Sequence, residues 1–248
     1  MRKIIVIAIM LSMYVGGRCQ NHEYKVDSAE MVVQNYIRLM NFDAIKSDST
    51  LYIESYIYQR SDPHDTTIMK RWFLPPFNYR TEVWHSDTMV TGLSCNGKDV
   101  YMMYSKGNKR WEDANMSSFY NEFWGYDFHG PLFKWKTDNT HLQYKGIWKF
   151  NDQEVYRIFV TNPDRYERYY MFDKRSGLLF LIDETDSHSD RMVVLDDEHV
   201  DWRAYHEYQP VGKALLPSIE SYQYGGDITL IFHTYKYVTK DEKLFIQK

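Results

Sequence analysis

Two cysteines, seven prolines and twelve glycines in 248 residues are too few for a disulfide scaffold, a collagen or a low-complexity linker. A basic excess is missing as well. The formal charge is −4 and the sequence pI is near 6.1, with no Lys/Arg cluster, so the chain lacks what releases counterions from phosphates and no nucleic-acid partner is expected. Long apolar runs are absent: the longest, Ile4 to Val15, is roughly a dozen residues against the about 20 that a helix needs to cross a bilayer. No transmembrane helix is expected. There is no phosphate-cradling glycine motif, no repeat of fixed period and no Pro/Gly/Ser-rich linker, so one domain is the economical reading. What is abundant is aromatic: 22 Tyr, 13 Phe and 7 Trp make 17% of the chain. Rings of this size bury enough area to offset the entropy of ordering, which excludes disorder, and they favour strands over helices.

At the amino end, Arg2 and Lys3 precede the apolar run and the small residues Gly16 and Gly17 follow it, which is the form of a secretory signal peptide. The expected organisation is a signal over residues 1–19 and a single domain over 20–248. A lipoprotein signal would instead retain Cys19 as an acylated first residue. Such signals want a small residue immediately before the cysteine, and Arg18 stands there, so secretion without lipidation is favoured. If Cys19 leaves with the signal, Cys95 has no partner for an internal disulfide and the core alone must hold the fold.

The first element of the remaining chain reads as a helix. Asp27 and Glu30 have the spacing of a capping box, and Ala29, Val33, Tyr36, Ile37 and Met40 recur on one face, as in a helix that packs on a sheet. Beyond it the period changes from helical to alternating. Strands are predicted over Leu51–Arg60, Thr67–Leu74, Tyr79–Ser86, Met89–Cys95 and Lys98–Tyr104, with Asn96-Gly97 as a tight hairpin turn. The stretch from Met116 to Trp124 places Phe119, Tyr120, Phe123 and Trp124 at helical spacing, and Gly130-Pro131 closes it. Strands resume over Leu142–Phe150, Glu154–Thr161, Tyr166–Phe172, Leu178–Thr185, Trp202–Tyr208, Leu215–Tyr224 and Asp227–Tyr237. The expected class is α+β, mostly β: about ten or eleven strands in a single strongly curved antiparallel sheet, a half-closed β-barrel covered by helices.

Several segments, in order, resemble the LolA-like outer-membrane lipoprotein carriers. Leu74-Pro75-Pro76-Phe77-Asn78-Tyr79-Arg80-Thr81-Glu82 is similar to the family's strand of proline followed by "fR-e". Ser94-Cys95-Asn96-Gly97-Lys98-Asp99-Val100-Tyr101 resembles its "s-DG-k-v-w-y" hairpin, with Asn for Asp. Tyr170 to Leu179, reading YMFDKRSGLL, resembles its "D-x-x-T/S-G-L" hairpin, and Tyr144-Lys145-Gly146 and Leu216-Pro217 also fit secreted members. The resemblance runs from about Ala29 to the end of the chain. It implies a periplasmic or outer-membrane-peripheral protein whose cavity takes a lipid, a lipoprotein acyl chain or another hydrophobic ligand without catalysis or cofactor, acting as a monomer with envelope proteins as further partners. The family's lid-contacting arginine has no single counterpart in this sequence.

Trp72, Phe77, Tyr79, Trp84, Met102, Tyr104 and Trp111 come from neighbouring strands and are the candidates for lining such a cavity; Phe119, Phe123 and Trp124 are the candidates for covering it. The commoner use of each ring is plain core packing. Two other classes compete with the carrier. A glycan-binding or structural envelope module would show exposed Tyr and Trp along one flat face, with carboxylates and amides beside them. A hydrolase-type enzyme would need a catalytic constellation, and the sequence offers little. Asp186 to Asp190 and Asp196 to His199 read as a solvated acidic loop without metal-ligand spacing, and Ser94 lacks the strand-turn-helix elbow of a hydrolase nucleophile. Catalytic and metal residues are therefore expected to be none.

Overall fold

The computed structural model of the chain describes residues 28–45, 48–62, 66–74, 78–96, 99–104, 111–114, 132–133, 135–136, 139–150, 152–161, 167–183, 201–224 and 227–245. Among these residues one α-helix, α1 (Ala29–Met40), precedes thirteen strands. They are β1 (Ser49–Gln59), β2 (Thr66–Leu74), β3 (Asn78–His85), β4 (Thr88–Asn96), β5 (Val100–Tyr104), β6 (Trp111–Ala114), β7 (His141–Phe150), β8 (Gln153–Thr161), β9 (Glu167–Asp173), β10 (Leu179–Asp183), β11 (Trp202–Val211), β12 (Ala214–Tyr224) and β13 (Asp227–Thr239). Short 3₁₀ turns lie at Phe42–Ala44 and Glu242–Phe245. Among the described residues no helix is long and apolar enough to cross a membrane.

All thirteen strands belong to one sheet in the order β6-β5-β4-β3-β2-β1-β13-β12-β11-β10-β9-β8-β7. Every pairing is antiparallel. Two meanders, β1 to β6 and β7 to β13, are joined where the first strand meets the last, from Ser49 opposite Thr239 to Gln59 opposite Thr229. The sheet stays open, with β6 and β7 at its edges. The count exceeds the ten or eleven expected, and β6 was not predicted at all. At four residues it is too short for alternation to register. Among the described residues helical cover consists of α1 and the two 3₁₀ turns, and the stretch Met116 to Trp124, predicted at helical spacing, lies outside them.

Successive residues on a strand face opposite sides, so register sorts every strand into two sets. One face carries Leu51, Ile53, Phe73, Tyr79, Leu93, Val100 and Met102 from the first meander. It carries Tyr156, Ile158, Tyr170, Phe172, Leu216 and Ile182 from the second. These residues and α1 form one buried cluster reaching from β5 to β8, so the sheet curls around it, and this is the inner face. A smaller cluster of Val155, Met171, Leu181, Trp202 and Ala204 lies on the outer face.

Helix α1 is capped one residue later than the sequence suggested. Ser28, in extended conformation, accepts a hydrogen bond from the Met31 amide, and Asn41 ends the helix in the left-handed region. Asp27 lies outside the described residues. The buried face is Ala29, Val32, Val33, Tyr36 and Met40, with Ile37 partly buried against the same core. The β9–β10 hairpin reaches this helix through Gly177. Its φ is +75°, a conformation that favours glycine, and a Cβ there would displace the Asn35 side chain.

Candidate functional site

Register divides the sequence-predicted rings. Tyr79 and Met102 are buried on the inner face, in rows with Phe73 and Leu93. Trp72 and Trp84 are half-buried and pair with Arg80 and Ile68, which puts them on the outer face. These four therefore cannot line one surface together. Tyr104 and Trp111 are described by strand position alone, opposite Thr91 and Met103 respectively. Phe77, Phe119, Phe123, Trp124 and Cys19 lie outside the described residues, as do Asp186 to Asp190 and Asp196 to His199. Cys95 is buried, next to Ser94 in β4.

Within the apolar inner face, β1, β2, β13 and β12 bring polar side chains together. Ser55 and His233 are direct cross-strand partners, and Ser55 Oγ lies 2.8 Å from His233 Nδ1. Arg71, one register step along, donates from Nη2 to Ser55 Oγ at 2.9 Å, and the same nitrogen lies 3.2 Å from His233 Nδ1. On the other side of the imidazole, Nε2 is 3.2 Å from Glu220 Oε1. Ser55 and Arg71 are 1% and 4% exposed and His233 is 6%. Burial alone would raise the Glu220 carboxyl, yet its pKa is lowered, because His233, Arg203 and Arg71 together outweigh desolvation. The neighbouring phenols move the other way. Tyr36, Tyr208 and Tyr235 are pushed above the usual tyrosine range, chiefly by burial. Tyr208 donates to the Leu179 carbonyl at 2.7 Å and Tyr235 to the Pro217 carbonyl.

Sequence reasoning missed this cluster. Its signal was a polar residue in the apolar phase of a strand: Ser55 follows Leu51 and Ile53, and Arg71 sits between Met69 and Phe73. A serine beside an imidazole that a carboxylate orients has the connectivity of a nucleophilic triad. Here, however, the hydroxyl accepts a hydrogen bond from Arg71 and is buried in mid-strand, without the exposed elbow of a hydrolase nucleophile. What the arrangement does chemically is present guanidinium, hydroxyl and imidazole groups inside an apolar surface.

The outer face of β13, β1, β2 and β3 is a row of rings set by charged side chains. Glu54 accepts from Tyr52 Oη at 2.6 Å through one carboxylate oxygen and from Tyr56 Oη at 2.7 Å through the other. Those two phenols lower the Glu54 pKa, and the same bonds help to raise theirs. Tyr52 packs on Trp72 with ring centroids 5.2 Å apart, and Lys236 Nζ stands 4.6 Å from the Tyr52 ring. Trp84 donates to Glu82 at 3.1 Å and lies under Lys70 Nζ at 4.5 Å, while Arg80 and Glu82 form an ion pair. Exposed Phe232 meets Tyr58 edge to face at 5.8 Å. The 3₁₀ turn at Glu242–Phe245 folds onto the same side. Arg80 donates to the Leu244 carbonyl and Ser94 to that of Phe245.

No protein-family model matches the chain, and none of the curated proteins matches it. Solved structures do match. A LolA superfamily protein from Nitrosomonas europaea is 11% identical, with 90% of this chain and 99% of that chain covered at a TM-score of 0.57. A domain named for outer membrane lipoprotein sorting, from Vibrio parahaemolyticus, is 13% identical over 88% of this chain and 95% of that one, at 0.59. A DUF1329 family protein from Desulfovibrio piger is 13% identical over 89% and 98%, at 0.58. Identities this low speak to the fold alone, and the fold is that of LolA-like proteins: one open antiparallel sheet curled around its core.

Proposed function

We propose that this chain is an exported, non-catalytic carrier of the cell envelope, whose inner sheet face shields an acyl chain of a lipid or lipoprotein from water. The observation that supports this most is the apolar inner tract of the first meander. There Leu51, Ile53, Phe73, Tyr79, Leu93 and Met102 come from adjacent strands of a sheet that is open at both edges. Each methylene moved from water onto such a surface gains about 0.8 kcal/mol. The tract is buried, so the ligand enters by parting the side chains above it. A similar solved structure named for lipoprotein sorting accords with this reading. In the same reading residues 1–19 are the export signal, Cys19 leaves with it, and residues 20–248 act in the periplasm or at the outer-membrane periphery as a monomer, with envelope proteins as partners.

Protein purified from its native envelope is expected to carry a lipid that mass spectrometry of an organic extract detects. Stripped protein is expected to take up a fluorescent fatty acid. Repeated preparations without lipid, together with no uptake, would overturn the carrier. A second reading, glycan binding, is favoured by the outer row of Tyr52, Tyr56, Trp72 and Trp84. Half-exposed rings there alternate with Glu54, Glu82, Lys70 and Lys236 as hydrogen-bonding groups for sugar hydroxyls.

A further inference from the structure

The polar cluster on the inner face sits where a carrier's lining should be apolar. Arg71 is the direct cross-strand partner of Ile53 on one side and Thr81 on the other, and the row continues through Leu93 to Met102. Burying a guanidinium and a carboxylate costs several kcal/mol per ion before their mutual attraction is counted, and packed apolar residues would serve the core at least as well. The cluster is also polarised. Glu220 meets the imidazole from its Nε2 side, and it stands directly opposite Tyr205 in a strand that also carries Arg203. Arg71 and Ser55 meet the imidazole at Nδ1, on the side continuous with the apolar row of β2 to β5. Arg71 and Arg203 both act on the single Glu220 carboxylate.

We propose that Arg71 and Ser55 receive the carboxylate of a long-chain acyl ligand whose tail lies across Thr81, Leu93 and Met102, which makes the ligand class ionised fatty acids and not acyl alcohols. This rests on the carrier reading and names its ligand. The planar guanidinium matches a carboxylate in geometry as well as charge. The Ser55 hydroxyl, now accepting from Arg71, can turn to donate. His233 Nε2 lies 3.2 Å from Glu220 Oε1, on the side of the ring away from Arg71 and Ser55.

The test is calorimetric titration of the lipid-stripped full chain with hexadecanoate and with hexadecan-1-ol at neutral pH. Hexadecanoate is expected to bind at least about ten-fold more tightly than the alcohol, the scale of a hydrogen bond to a charged group. In Arg71→Met the ratio of the two affinities falls to about one. Should that variant fail to fold by circular dichroism, Ser55→Ala, which removes only a hydroxyl, is expected to lower the ratio several-fold. Equal binding of acid and alcohol by the unaltered chain overturns the carboxylate receptor and leaves the carrier standing. A preference for acid that survives both substitutions overturns the assignment to this cluster. Binding of neither ligand overturns this ligand class and, together with lipid-free extracts of the native protein, overturns the carrier reading as well.

Discussion

At the scale of single residues, what decides a role is the face a side chain takes, and alternation converts one position of register into a complete change of environment. Trp72 and Phe73 are neighbours in sequence, yet Phe73 joins the inner core while Trp72 stacks on Tyr52 outside. Trp72→Ala and Trp84→Ala are therefore expected to leave fatty-acid affinity within about two-fold, or ~0.4 kcal/mol. If the outer row binds glycans, the same substitutions abolish the retardation of the protein in gels cast with a soluble polysaccharide. A loss of fatty-acid affinity of about ten-fold or more in either variant would place those rings against the acyl chain and contradict their position on the outer face.

At the scale of elements, most strands were legible because alternation and turn residues mark them within a few positions of where they lie. The predicted Thr67–Leu74 and Glu154–Thr161 became Thr66–Leu74 and Gln153–Thr161. Pairing was less legible. The β1–β13 seam joins segments from opposite ends of the folded region, and no local pattern encodes a partner that distant. Facing was illegible as well, since bulges such as that between Tyr144 and Ile147, at Gly146 with φ +96°, change which residues share a row. For the same reason the aromatic count named rings but could not say which face each occupies, and the Ser55–His233 pair was invisible until register brought the two together. The final 3₁₀ turn shows how little sequence suffices for an element that tertiary contacts hold. Phe245 is fully buried, and the turn's carbonyls accept from Arg80 and Ser94 across the outer face. Phe245→Ala is expected to cost about 3–5 kcal/mol, read as a lowered urea midpoint. A cost under about 1 kcal/mol would mean that this turn does not pin β3 and β4.

At the scale of the whole molecule, one sheet and one main core make the buried titratable groups report on global stability. Tyr36, Tyr208 and Tyr235 have pKa values raised above the ordinary 10.0, with burial the largest cause in each. In the unfolded chain these phenols ionise near 10, while in the folded chain they stay protonated to higher pH. Their contribution is therefore complete below about pH 10 and is lost as pH rises from there toward the folded values. Glu220 has the opposite sign. Burial acts to raise its pKa, but His233, Arg203 and Arg71 prevail and lower it, so its contribution is present above the ordinary 4.5 and is lost as pH falls below that. Denaturant midpoints measured across pH should thus fall on both flanks, and the alkaline fall should begin near 10 with the phenolate absorbance of these tyrosines appearing in step with unfolding. In Tyr208→Phe the alkaline flank is expected to flatten, because one phenol that must stay protonated is gone, while the acid flank keeps its position. Phenolate absorbance that rises fully before any loss of structure would show these hydroxyls to be open to solvent, and would contradict a core closed over the inner face.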